Sequence, residues 1–163
     1  MKNWTTHMPM LLEVLLNSEG DVMEIGGGTY STPLLHWLCK IQGRRLVTYE
    51  NDPIFYKLES RFKSKNHSIR FIKNWDDIPQ RRWGVIFIDH HPSERRIIDL
   101  IKFKDCADYL IFHDAERNDK YEWSQAESHF KYQYIDKSCK PWTGVVSNFK
   151  ELDFLNGEVL RIL

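Results

Sequence analysis

Two stretches of this 163-residue chain, "FIDHHPSERR" and "LIFHDAER", end apolar runs on clusters of carboxylates and imidazoles. The first carries Asp89, His90 and His91, the second His113, Asp114 and Glu116. Hard oxygen donors such as Asp89 and Asp114 suit magnesium or calcium, whereas imidazole favours manganese, iron or zinc. Without a metal, His90, His91 or His113 can act as a general base near neutral pH. The plainer reading is that some of these histidines only hydrogen-bond across strand ends.

A third stretch, "VMEIGGGTYSTPLL", places Glu24 two positions before Gly26, Gly27 and Gly28. Glycine permits positive φ and lets a ligand approach the backbone closely, and the N–H groups at a following helix start can hold a polar ligand. A carboxylate is unfavourable beside a phosphate and useful beside a cation, so Glu24 points to a ligand with a positive amino group. The plainer reading is a tight turn with a surface acid. Glu50 ends "RLVTYE" some twenty residues after the last glycine, where an acid accepts hydrogen bonds from ribose hydroxyls. The dinucleotide pattern Gly-x-Gly-x-x-Gly fails, because Ser31 stands three residues after Gly28.

These groups need a frame. "DVMEI", "RLVTYE", "IRFIK", "WGVIFID" and "DYLIFHD" read as five strands. Between them "STPLLHWLCK", "PIFYKLESRFKSK" and "SERRIIDLIKF" read as helices, the last with a serine cap. The alternation predicts an α/β fold, a doubly wound, mostly parallel sheet with helices on both faces. "YQYIDK" and "TGVVSNF" follow without a helix between them and predict an antiparallel hairpin at one sheet edge. Residues 1–163 read as a single domain, opening with a short helical segment over 1–20.

Composition narrows the classes. Net charge is zero, which gives no sign of nucleic acid or an anionic membrane as partner. No apolar run is long enough for a membrane span, and "MKNWTTHMPMLLEVLL" lacks a signal-peptide cleavage pattern. Cys39, Cys106 and Cys139 are odd in number and widely spaced, which suits a reducing, cytoplasmic setting.

An E-x-G-x-G turn followed by a strand ending in an acid resembles the class I, Rossmann-like S-adenosylmethionine-dependent methyltransferases. The resemblance covers nearly the whole chain, closing hairpin included. It implies that Glu24 lies near the amino acid part of the cofactor, that Gly26, Gly27, Gly28 and Ser31 line its cradle, and that Glu50, with Asn51 beside it, takes the ribose. In "FIKNWDDIP" it implies Trp75 stacking on the adenine and Asp76 accepting from the exocyclic amine. The alternative there is a turn with an exposed tryptophan and a helix-capping aspartate.

The strand-end aspartates resemble those of catechol-type O-methyltransferases, where a divalent cation orients the acceptor hydroxyl and lowers its pKa. Asp89 and Asp114 match; Ala115 stands where that family has an amide, so Glu116 or His113 would complete the set around Mg or Mn. The resemblance implies methyl transfer to a hydroxyl oxygen of a small-molecule acceptor, with Asp89, which also borders the cofactor, His90 and His113 in catalysis. A catalytically inactive cofactor-binding protein is the second reading. "IDHHPS" also resembles the Asp-His-His signature of manganese phosphoesterases, whose further acidic motifs and second domain are not visible here.

Some residues stay open. Arg95 and Arg96 can meet an acidic substrate group or form a solvated helix face. Trp37, Trp123 and Trp142 can border a pocket or fill a core. Arg117 and Tyr121 are candidates beside a substrate. A short lead before the first strand suggests an open site or a lid borrowed in a homodimer.

Overall fold

The computed structural model describes residues 4–116 and 123–156. The candidates Arg117 and Tyr121 therefore lie outside the described residues. Five parallel strands form in chain order: β1 (Val22–Ile25), β2 (Leu46–Glu50), β3 (His67–Phe71), β4 (Trp83–Ile88) and β5 (Ala107–His113). The closing pair, β6 (Tyr132–Asp136) and β7 (Thr143–Ser147), is antiparallel. The sheet order is β3-β2-β1-β4-β5-β7-β6, so β7 is inserted beside β5 and β6 forms the edge. Strand order reverses between β1 and β4, and in such a sheet the crevice beyond the carboxyl ends at that reversal is the natural ligand site.

The helices differ in detail from the sequence reading. α1 (Met8–Leu16) and α2 (Ser31–Ile41) flank β1. α3 (Pro53–Glu59) starts at Pro53, with the Asp52 side chain accepting from the Ile54 and Phe55 N–H groups. It stops at Glu59 and passes into a 3-10 turn over Ser60–Phe62, instead of running on through Lys65. α4 (Arg95–Lys102) has Glu94, not Ser93, at its cap position and no side-chain cap. α5 (Ser124–Glu127) is a single turn. No helix among the described residues is long and apolar enough to cross a membrane.

Alternating side chains on the buried strands feed two cores. Val85 and Phe87 of β4 pack with Met10, Leu11, Val14, Leu15 and Leu35 from α1 and α2. Ile86 and Ile88 pack on the opposite face with Ile97, Leu100, Phe103 and Trp75. Of the tryptophans left open, Trp123 and Trp142 pack at the edge of that second core, while Trp37 is exposed.

Register brings the chemistry together. Ile25 is level with Ile88, and Ile88 with Phe112, so the glycine turn, Asp89 and His113 leave the sheet side by side. Glu24 is level with Thr48 on its other side.

Candidate active site

The glycine turn is held from below by two glutamates. Gly26 has φ +84°, and a Cβ there would overlap the backbone of His90. Glu24 is fully buried and is not a surface acid: it accepts from the Thr48 hydroxyl at 2.7 Å and from Thr32 Oγ1 at 3.0 and 3.1 Å. Thr32 Oγ1 in turn accepts from the Gly28 N–H at 2.9 Å, so Glu24 fixes the turn through α2. Because Thr48 donates its one proton to Glu24, its 2.9 Å contact with His67 requires His67 to donate from Nε2. His67 Nδ1 is then the acceptor for His36 Nδ1–H at 3.1 Å. Burial pushes the Glu24 carboxyl up to about 7 and His67 down to about 4.

Glu50 clamps the other side. Oε2 accepts from the Gly27 N–H at 2.9 Å; Oε1 accepts from the Asn51 and Asp52 N–H groups at 2.7 Å each. Burial raises this carboxyl, and the three backbone donors offset part of the rise. Sequence reasoning missed Glu59 of α3, which reads as one more polar position of an exposed helix. Its carboxyl is buried against Gly27 with neither oxygen hydrogen-bonded. Burial, then the neighbouring Glu24, Glu50 and Asp52 charges, push it up to about 9.

Above the turn lies a cavity of about 640 Å³. Gly27, Gly28, Thr29, Tyr30, Ser31 and Phe55 form one wall; Asp89, His91, Arg96, His113 and Asp114 form the other, with Trp4, His7 and Pro141 at the N-terminal side. Glu24, Gly26, Glu50, Asn51, Trp75, Asp76, His90 and Glu116 are not in its lining.

Trp75 is not exposed. It is buried, stacks on the His90 ring at 4.4 Å between centroids, and donates from Nε1 to the His91 carbonyl at 3.1 Å. Asn74, not Asp76, caps the short turn that follows β3, while Asp76 pairs with Arg95. The face of Trp75 expected on an adenine is thus covered by His90. Nor is His90 placed as a base: its ring is enclosed, with Nε2 on Asp99 Oδ2 at 2.8 Å. His91 is exposed at the same cavity wall as Asp89, while His90 is turned away into the core. The three therefore do not converge on one point, as a phosphoesterase signature would require.

Arg96 is nearly buried rather than part of a solvated face. Its guanidinium joins Asp89 Oδ1 at 2.9 Å to Asp114 Oδ2 at 2.6 Å, and Nε donates to the His90 carbonyl at 2.8 Å. A cation therefore does stand between the two aspartates, but it is the arginine. Glu116 accepts from the Trp142 N–H at 2.6 Å, away from them. The set Asp89, Asp114 and Glu116 around Mg or Mn is not what the structure brings together. Asp114 holds its place with φ +61°, a left-handed conformation rare outside glycine and concentrated at functional sites.

On its other oxygen, Asp89 Oδ2 lies 3.4 Å from His113 Nδ1. His113 Nε2 is 3.0 Å from Thr6 Oγ1, and Thr6 donates its own proton to the Pro141 carbonyl at 2.7 Å. His113 must then donate from Nε2, which leaves Nδ1 facing the carboxylate. Burial alone would raise Asp89, but His113 and Arg96 overcome it and hold the carboxyl below its ordinary value. His7, which the sequence reading passed over, stands edge-on to His113 with ring centroids 4.9 Å apart. The signal for it was slight: one histidine at the cap position of α1, two residues before Pro9.

No family model matches the chain, and no curated protein matches it. Solved structures do. A human methyltransferase 10 domain containing protein superposes with a TM-score of 0.63 at 11% identity, over 88% of this chain and 81% of that one. The N-terminal domain of human METTL16 in complex with SAH gives 0.60 at 14%, over 88% and 68%. A putative O-methyltransferase from Klebsiella pneumoniae gives 0.60 at 13%, over 92% and 81%. The chain therefore has the Rossmann-like fold of class I methyltransferases.

Proposed function

We propose that this protein transfers a methyl group from S-adenosylmethionine to a hydroxyl oxygen of a small-molecule acceptor. The observation that carries the reading is the cavity at the strand-order reversal, walled by the glycine turn on one side and by Asp89 and His113 on the other. It supports the reading that two structural neighbours are complexes with SAH. The residues fit such a donor: a volume within the ~300–1,000 Å³ of ligand pockets, a wall of glycine backbone, and the aromatic rings of Tyr30 and Phe55. When bound, the donor supplies an electrophilic methyl group on a positively charged sulfur.

The chain's own residues do the rest. Gly27 and Gly28 allow close approach, and Glu50 and Glu24 keep that turn from relaxing. Arg96 fixes Asp89, and Asp89 orients His113. His113 Nδ1 accepts the proton of an acceptor hydroxyl, and the carboxylate beside it stabilises the imidazolium formed. A cavity of this size suits a small acceptor rather than nucleic acid; a cytoplasmic location and a homodimer belong to the same reading.

Calorimetric titration with S-adenosylmethionine and S-adenosylhomocysteine tests it. Binding should fall at least about tenfold in Glu50→Ala, because Gly27 loses its anchor. Failure of both compounds to bind sinks the reading. Binding without methylation of any hydroxyl acceptor favours the inactive cofactor-binding alternative.

A further inference from the structure

We propose that His7, Asp89 and His113 form a binding site for a single divalent transition-metal ion of the zinc, cobalt or iron type. One potential ligand atom from each lies within 4.8 Å of the other two. A tetrahedral ion with ~2.0–2.2 Å bonds asks for ligand atoms about 3.3 Å apart, so side-chain adjustments on the order of an ångström close the site.

Two independent features call for a cation there. His7 is 3% exposed, yet neither ring nitrogen has a hydrogen-bond partner. A buried imidazole left so costs stability, and an ion accounts for it. The second is the pair formed by Asp89 Oδ2 and His113 Nδ1. With His113 Nε2 committed to Thr6, Nδ1 and the carboxylate stand 3.4 Å apart, and a metal ion can take the place of the proton that otherwise joins them.

The surroundings suit a metal. Burial favours the neutral, ligating form of His7, whose pKa falls to about 4. Thr6 orients the His113 ring from behind, and Arg96 holds the far oxygen of Asp89, as outer-shell partners do in metal sites. Two imidazoles with one carboxylate favour borderline ions over magnesium. All three residues line the cavity, so the remaining coordination position opens toward a substrate. This site is distinct from Asp89, Asp114 and Glu116; an ion on His113 Nδ1 occupies the lone pair that would take the acceptor's proton, so the metal-bound and the proton-accepting forms are separate states of the site, and ion binding does not depend on methyl transfer.

The experiment uses the full chain stripped with a chelator. Co²⁺ is titrated by visible absorption and Zn²⁺ by calorimetry, with thermal melting alongside. One equivalent should bind and raise Tm, and His7→Ala and His113→Asn should each weaken binding about tenfold or more. His129→Ala, at an exposed histidine, should bind as the parent does. Far-ultraviolet circular dichroism of the stripped proteins shows whether each variant folds; if one does not, the other carries the test. Absence of saturable binding below millimolar metal overturns the proposal. So does binding undiminished in the folded histidine variants, or equally diminished in His129→Ala. Because donor binding is read in a separate titration, failure here leaves the methyltransferase reading standing, and the reverse holds too.

Discussion

Gly26 and His90 are packed backbone to backbone: a Cβ on Gly26 would overlap both the Cα and the amide nitrogen of His90. The contact joins the first turn to the loop after β4, and Gly26 reaches it with φ +84°. Gly26→Ala adds left-handed strain to a backbone overlap. It should cost more than about 2 kcal/mol, read by thermal melting, and should weaken S-adenosylhomocysteine binding. An alanine variant as stable as the parent would show that the loops separate without cost.

Arg96 carries the charge balance of the cavity wall. Removing it takes the guanidinium from between the partly buried Asp89 and Asp114, so Arg96→Met should destabilise the protein by roughly 3 kcal/mol. The loss should shrink as pH falls below 4, where the unpaired carboxyls take up protons. Urea unfolding of parent and variant at pH 7 and pH 3 measures both effects. An equal loss at the two pH values would assign the guanidinium's role to packing.

The strands, the sheet class and the gathering of the glycine turn, Asp89 and His113 at the ends of β1, β4 and β5 were legible because each rests on local pattern. Apolar runs of four to seven residues mark buried strands, and three glycines after the first mark the turn. What the pattern could not show is which polar residues a tertiary fold encloses. Arg96, left open between an acidic substrate group and a solvated face, sits between two aspartates because the start of α4 lies against the residues that end β4 and β5. Glu24, Trp75 and His90 have the residue types of a ligand site, yet their partners are Thr48, His91 and Asp99, remote or unpatterned in sequence. His7 and Glu59 carry no motif. Their importance comes from burial without hydrogen bonds, which only coordinates reveal.

Acid pH should act through His7 and His67. Both are driven by burial from 6.5 to about 4, so the folded state binds fewer protons than the unfolded chain. Their contribution is complete above pH 6.5 and is lost as pH falls toward 4. His67→Asn, which keeps a donor for Thr48, should flatten the decline in Tm between pH 6.5 and 4. A slope unchanged by the substitution would place the acid sensitivity elsewhere.

Alkaline pH should act through Glu59 and Glu24, with the opposite sign. Their folded values, about 9 and about 7, lie above the ordinary 4.5, so the folded state holds protons that the unfolded chain gives up. Stability is full below pH 4.5 and falls as pH rises, up to about 7 for Glu24 and about 9 for Glu59. Glu59→Gln keeps the shape of the protonated acid and removes this dependence. It should match the parent at pH 4 and exceed it by a few kcal/mol at pH 8. Since Glu59 lies against Gly27 without bonding it, donor binding at pH 7 should change less than about threefold, well short of the effect of Glu50→Ala. Chemical unfolding at both pH values, with one titration at pH 7, decides the point. A variant less stable than the parent at pH 8 would mean that the Glu59 carboxylate is held by a cation, and that this glutamate serves the site rather than straining it.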